Sequence, residues 1–278
     1  MAALAEHLGC DPSEQAVYER RLASDPAEYA ASLLRASGTE WLLVDDGYPP
    51  GGTSWDELGE LAGCASKPIM RIERVLEELG QAAVAGEVSS ARERGFAGLK
   101  TIAAYRGGLD LDIAQSGVRD ALLTALEANE ATGDPLPIQV HCGFGDSDLH
   151  LPRADPGWLK PLVERFENTP FVLLHCYPFV REAGWFAHVY GNVWFDLSLT
   201  IPHVSRPAEA LREALELAPV SKLLYASDAS RAPELYFLAA FWWRDALAEV
   251  LSQALPPAGA AEAARMILRD NAIALYRL

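Results

Sequence analysis

"PIQVHCGFGDSDLH", residues 137–150, sets a short apolar run, Ile138-Gln139-Val140, directly before His141 and a loop with two glycines and two aspartates. Thirty-four residues later "PFVLLHCY" (170–177) repeats the pattern, with His175 in the place of His141. A β-rich apolar run that stops at a polar residue and a loop reads as a buried parallel strand. Five further runs have the same form: "EWLLVDDG" (40–47), "PIMRIE" (68–73), "FAGLKTIAAY" (96–105), "NVWFDLSL" (192–199) and "KLLYASDA" (222–229). Their centres lie 22 to 41 residues apart, the length of a strand with its returning helix.

The segments between them carry helical periodicity. Val118, Leu122, Ala125 and Leu126 mark one face of 117–131. In 156–167, Pro156 opens a helix with Leu159, Leu162, Val163 and Phe166 on its apolar stripe. Pro207 and Pro233 open two more, and "AARMILRDNAIALYRL" closes the chain as a helix. Strands alternating with helices predict a parallel sheet covered by helices. Polar residues end nearly every strand: Asp45/Asp46, Glu73, Lys100, His141, His175, Asp196 and Asp228. That favours a (β/α)8 barrel, which collects its chemistry from many strand ends, over an open doubly wound sheet with one switch point. "PPGGTSW" (49–55) is a loop and not a dinucleotide-binding GxGxxG. The expectation is therefore one α/β domain over 1–278 of TIM-barrel type, with seven recognisable strands. Residues 1–38 form a helical lead-in, and the strands lie within 39–278.

Composition narrows the function. The chain has 278 residues, with 23 basic and 39 acidic groups for a formal charge of −16, which argues against nucleic acid or an anionic membrane as partner. No apolar run is long enough to span a bilayer, and the N-terminus lacks a signal-peptide pattern. Cys10, Cys64, Cys142 and Cys176 lie far apart without a CxxC pair, as reduced thiols of a cytoplasmic protein do. The expected partner is a small-molecule substrate.

Alternation along a strand gives the two histidines a common role. In 137–143, Gln139 and His141 share a face opposite Ile138, Val140 and Cys142. In 170–177, Leu173 and His175 oppose Val172, Leu174 and Cys176. Both histidines are thus expected inside the barrel and both cysteines in helix packing. A single inward histidine is more often a hydrogen-bonded core residue; two at matching positions, with Asp228 at a third strand end, point to a site. Two imidazoles and a carboxylate suit Zn²⁺ or a similar divalent ion, which lowers the pKa of bound water to about 7. Lys100 is read as an ammonium for substrate or, when carbamylated, a bridging metal ligand. Arg71, Arg106 or Arg181 is expected to hold a substrate carboxylate. His7, His150 and His188 are read as structural or exposed, and His203 as the best further candidate.

At these residues the sequence resembles a known family. "GLKTIAAYRGGL", "PIQVHCGFGDSDLHL", "VLLHCYPFVREAGWFAHVYGNVWFDLSL", "YASDASRAPELYFLA" and "ILRDNAIALYRL" are similar to amidohydrolase-related family 2 proteins, and within them to the branch also found fused to glutamine-synthetase-like domains. The resemblance covers most of the chain and implies a (β/α)8 barrel with one or two divalent metals. It matches His141 to the strand-five ligand, His175 to the strand-six ligand, and Asp228 to the strand-eight aspartate that binds metal and handles the proton. Lys100 falls on the strand that carries a carbamylated lysine in some members. The family's HxH pair on strand one has no counterpart, since no HxH occurs in the chain. By this correspondence "EWLLVDDG" is strand two, so strand one and the first metal pair are the same absence, from a shortened N-terminus or a natural variant.

The resemblance implies a metal-dependent hydrolase cleaving an amide-type C–N bond with metal-activated water, Asp228 being the general base. A metal-dependent non-oxidative decarboxylase and a non-catalytic scaffold barrel are the alternatives, the last motivated by the missing HxH. A barrel lacking one strand exposes two backbone edges. Residues 1–38 or a partner subunit, as in a homo-oligomer, are expected to cover the gap.

Overall fold

The computed structural model describes residues 1–45, 51–111 and 115–278. Asp46 and the start of "PPGGTSW" lie outside them. Three helices come first: α1 (Ala2–Leu8), α2 (Glu14–Ala23) and α3 (Pro26–Ala36). Their starts are written locally. Ser13 caps α2, and Asp25 caps α3 by accepting from Ala27 and Glu28 N–H, with Pro26 already fixed at helical φ.

The alternation then begins with β1 (Trp41–Val44), α4 (Trp55–Ala62), β2 (Ala65–Arg71), α5 (Ile72–Leu79) and α6 (Val84–Ser89). It continues through β3 (Gly98–Thr101), α7 (Ser116–Ala131), β4 (Ile138–Cys142), α8 (Lys160–Arg165), β5 (Phe171–His175) and α9 (Val180–Val189). The last units are β6 (Val193–Asp196), α10 (Thr200–His203), α11 (Pro207–Leu215), β7 (Leu223–Leu224), α12 (Pro233–Ala254), α13 (Pro257–Arg265) and α14 (Asn271–Tyr276). All seven strands are parallel and paired in chain order, β1 to β7, in a curled sheet of the TIM-barrel type with one strand missing. Among the described residues no helix is long and apolar enough to cross a membrane.

The sheet has two differently filled faces. Met70, Leu99, Ile138, Val140, Phe171, Leu173, Val193 and Phe195 join the helices in the main core. Ile69, Val172, Leu174 and Leu224 form the opposite, inner face, packed against Tyr276 and, less deeply, Ala272 and Leu275 of α14. Tyr276 is 5% exposed, and its hydroxyl accepts from Gln139 Nε2 at 3.0 Å. Gly98 makes room for it: a Cβ there would stand 3.2 Å from the Tyr276 ring and 2.9 Å from the Pro137 carbonyl oxygen. The chain's last helix therefore plugs the space inside the sheet.

The β4 faces follow the sequence alternation, with Gln139 inward and Ile138, Val140 and Cys142 against the helices. In β5 the expected parity is reversed: Leu173 is in the helix-facing core, while Val172 and Leu174 face inward. Simple alternation would turn His175 outward. It reaches the inner side because the backbone leaves the strand there, His175 and Cys176 both having φ of 66°. Left-handed backbone is unfavourable for residues with a Cβ, so two in succession record a conformation imposed by the surroundings.

Among the described residues β1 pairs only with β2, and β7 only with β6. The lead-in helices bridge these ends from outside. Helix α3 packs on both α12, after β7, and α4, after β1. Leu4, Leu8, Val17, Tyr29 and Leu33 form a small core with Phe237 and Leu238 of α12. Tyr29 Oη donates to Glu234 at 2.9 Å, Arg21 pairs with the same carboxylate at 3.1 Å, and Arg269 grips Glu40 with two hydrogen bonds.

Removing the plug tests its weight. Tyr276→Ala is expected to cost about 3–5 kcal/mol of stability, because it opens a cavity and strips Gln139 Nε2 of its partner. Urea unfolding monitored by circular dichroism measures it.

Candidate active site

Three strand ends carry nitrogen and oxygen donors to one place. His141, on β4, and His175, at the end of β5, stand with ring centroids 4.6 Å apart, 5% and 2% exposed. The strand register pairs His141 with Leu174 and Cys142 with His175, so the second ring sits one step higher on its own strand. Asp228, four residues past β7, brings Oδ2 to 3.8 Å from His175 Nδ1, and it too has left-handed backbone, φ 48°. His141 Nε2 is buried without a hydrogen-bond partner. An unsatisfied buried acceptor is costly, which makes this nitrogen the best evidence for an exogenous ligand.

Burial lowers the pKa of both imidazoles well below the ordinary value. The partner imidazole and then Lys100 reinforce this for His141, and Lys100 does so for His175. Both rings are thus neutral, the form that can act as a ligand. Burial raises Asp228, against the pull of Lys100 and His141. Tyr105 packs its ring 4.6 Å from that of His141, and its hydroxyl oxygen accepts from Asp146 N–H at 3.1 Å. Gly145 is needed here: a Cβ would overlap the Tyr105 hydroxyl and stand 3.0 Å from His141 Nε2.

A second cluster borders the first. Asp45 receives Arg71 through Nε (3.0 Å) and Nη2 (2.5 Å), and Lys100 Nζ at 3.2 Å. Burial works to raise the Asp45 pKa, but Lys100 and Arg71 outweigh it and hold the carboxyl below the usual range. Two cations thus share one buried carboxylate beside the histidines, with Asp228 also in the field of Lys100. Lys100, expected as an ammonium for substrate or a carbamylated bridging ligand, here pairs with Asp45. Glu73 is a strand cap, accepting from Thr101 Oγ1 at 2.5 Å and Ile102 N–H at 3.0 Å.

The three arginines separate. Arg71 lies at the site's edge, committed to Asp45. Arg106 reaches Glu77 at 3.6 Å. Arg181, its side chain 68% exposed, lies between Glu213 and Glu216 at 3.5 and 3.6 Å, outside the sheet and away from the histidine pair. His203 is exposed, with Nδ1 bonded to the Leu199 carbonyl at 2.8 Å and its ring edge-on to Phe144.

One further strand-end residue of the sequence, and two residues without such a signal, complete the surroundings. Asp196 is 2% exposed, and burial lifts it to about 6 against hydrogen bonds from Ser198 and from His175 N–H. Ser198 and Tyr105 carried no sequence signal beyond position, one two residues past a strand-end aspartate and the other just past β3.

Metal fit has two parts. The donors are chemically right: two neutral imidazoles, one with a bare buried nitrogen, and a carboxylate. They are not gathered into a cage, for among the described residues no group of three or more His, Cys, Asp or Glu side chains could hold a metal ion as it stands.

Comparison with known proteins gives a consistent pattern. The family model for amidohydrolases matches residues 7–278. A Lactobacillus casei protein provisionally described as a metal-dependent hydrolase superposes with a TM-score of 0.85 at 30% identity, covering 99% of this chain and 82% of that one. An uncharacterised TIM-barrel protein of Bordetella bronchiseptica shares the fold, with a TM-score of 0.59 at 14% identity, covering 99% of this chain and 89% of that one. Protein fluG of Emericella nidulans is 40% identical over 164 residues, 56% of this chain and 19% of fluG, so the chain corresponds to about a fifth of that longer protein.

The neutral histidines predict a pH dependence. Unfolded imidazoles take up protons below about pH 6.5 while these two do not, so stability falls as pH drops through that value. Asp196, raised to about 6, acts in the opposite sense: its folded form keeps a proton that the unfolded carboxyl has released. Between pH 7 and 6 the histidines dominate, and metal-free protein should lose roughly 1 kcal/mol. Urea titrations at each pH, compared with a His141→Gln/His175→Gln variant whose loss is smaller, measure the effect.

Proposed function

The chain belongs to the amidohydrolase family, and from that premise we propose that it is a metal-dependent hydrolase of an amide-type C–N bond in a small molecule. The observation that carries the reading is His141 Nε2, buried, unpartnered and beside a second neutral imidazole. His141 through Nε2, His175 and Asp228 would hold the ion, and their N/O donor set favours Zn²⁺. When bound, such an ion supplies Lewis-acid polarisation of the substrate carbonyl and a water of lowered pKa.

The chain's own residues do the rest. Asp228 takes the proton from the attacking water and returns it to the leaving nitrogen, and its burial-raised pKa makes it a stronger base than a surface carboxylate. Tyr105 keeps its phenolic proton, because burial raises its pKa, and with its oxygen accepting from Asp146 it donates to the substrate carbonyl oxygen. Arg71 and Lys100, both paired with Asp45, are the cations that an anionic substrate group would meet at the strand ends. The L. casei likeness supports hydrolysis. The four free cysteines accord with the cytoplasm proposed from sequence, and self-association through the β1 and β7 edges belongs to the same proposal.

One observation favours a second reading. With no HxH in the chain and no metal-holding group gathered among the described residues, a non-catalytic barrel would have the same appearance. Elemental analysis of the purified protein after exposure to Zn²⁺ separates the two. The hydrolase reading expects one bound ion per chain and a Kd weakened by at least about tenfold in His141→Ala, with hydrolysis lost. No bound ion in folded protein, or unchanged Zn²⁺ affinity in His141→Ala, overturns it. Release of CO₂ in place of ammonia or amine would assign the decarboxylase.

A further inference from the structure

His175 is held by three side-chain hydrogen bonds from one short segment, besides the Tyr177 N–H that also reaches its carbonyl at 3.0 Å. Its backbone N–H donates to Asp196 Oδ1 at 2.9 Å. Its carbonyl accepts from Thr200 Oγ1 at 2.7 Å, and its ring Nδ1 meets Ser198 Oγ at 2.8 Å. Asp196, Ser198 and Thr200 are 2%, 1% and 0% exposed. They recur at every second position in "DLSLT" (196–200), while Leu197, between Asp196 and Ser198, belongs to the helix-facing core.

From this geometry we infer that Asp196, Ser198 and Thr200 are positioning residues that hold His175 in its left-handed backbone and fix its ring as the Nδ1–H tautomer, leaving Nε2 bare. The argument is a hydrogen count. Asp196 Oδ1 already accepts two backbone N–H groups, those of His175 and Ser198, so it is an acceptor toward Ser198 Oγ, 2.6 Å away. The serine hydroxyl has one hydrogen, and it is spent on that carboxylate. Toward His175 Nδ1 the serine oxygen can then only accept, so Nδ1 carries the ring hydrogen. The Asp228 carboxylate at 3.8 Å on the same side favours the same tautomer. A neutral ring protonated at Nδ1 offers Nε2 as its only lone pair. The backbone bonds act on orientation: φ of 66° at His175 turns the ring inward against the strand's alternation, and the bonds to Asp196 and Thr200 hold it there.

The inference deepens the metal reading of the site but can be tested apart from it, on metal-free protein. Long-range ¹H–¹⁵N correlation spectra of histidine-labelled protein report which ring nitrogen is protonated, with His175 assigned by its loss in His175→Gln. The expected result is a neutral His175 protonated at Nδ1, a mixed or reversed tautomer in Ser198→Ala, and recovery in Ser198→Thr. Zn²⁺ affinity, from competition with a chelator, should fall about 10- to 100-fold in Ser198→Ala and stay near wild type in Ser198→Thr. A wild-type His175 protonated at Nε2, or an unchanged tautomer in Ser198→Ala, overturns the inference whether or not metal binds. If Ser198→Ala fails to fold, the wild-type spectrum alone decides. An Nδ1–H ring in a protein that binds no Zn²⁺ would uphold the clamp and sink the metal reading.

Discussion

The contact on which the site depends is the one between Tyr276 and Gln139, inside the curled sheet. An incomplete barrel has no closed ring of strands to fill its interior, and an unfilled inner face would leave Ile69, Val172, Leu174 and Leu224 in water. The C-terminal helix supplies the missing bulk, and the Tyr276 hydroxyl satisfies the one polar side chain on the inner face of β4 below the site. Gln139 and His141 are two residues apart on that strand and share its face. What locks the first steadies the second, so the floor of the site is the lid of the plug.

Above that floor, charge is arranged in close pairs. The strand ends hold two cations on one carboxylate beside two uncharged imidazoles. Burial and the nearby ammonium work together here: both disfavour imidazolium, so the rings stay neutral and available as donors. Backbone strain is concentrated at the same place. His175, Cys176 and Asp228 adopt left-handed φ without being glycine, and the first is held by three hydrogen bonds from one segment. Such conformations persist where the surroundings over-determine them, and they cluster at functional sites.

Much of this is written in the sequence, because it depends on local periodicity. Seven apolar runs at strand-and-helix spacing fix a parallel sheet in chain order, and prolines at 207 and 233 fix two helix starts. His141 was legible on the same ground, since its strand alternates regularly to the end. His175 was found at its position for a reason that does not hold in the folded chain: its strand has the opposite parity, and a left-handed turn restores the ring to the inside. Asp45, Lys100 and Arg71 could be listed as strand ends, but not as one ion cluster.

By itself, then, the sequence determined the order of elements, the fold type and which residues stand at the strand ends, all properties of hydrophobic period and chain spacing. Tertiary structure alone decided which of those ends meet. It set Arg106 and Arg181 against glutamates, paired Lys100 with Asp45, and brought Asp196, Ser198 and Thr200 around a residue on the neighbouring strand. It also packed the C-terminal helix against the inner face of the sheet and set α3 against α4 and α12. The physical reason is that alternation is a property of an unbroken strand, whereas left-handed turns, ion pairs and plugs arise from contacts between residues far apart in the chain, such as Tyr29 with Glu234, 205 positions on, which no local pattern encodes.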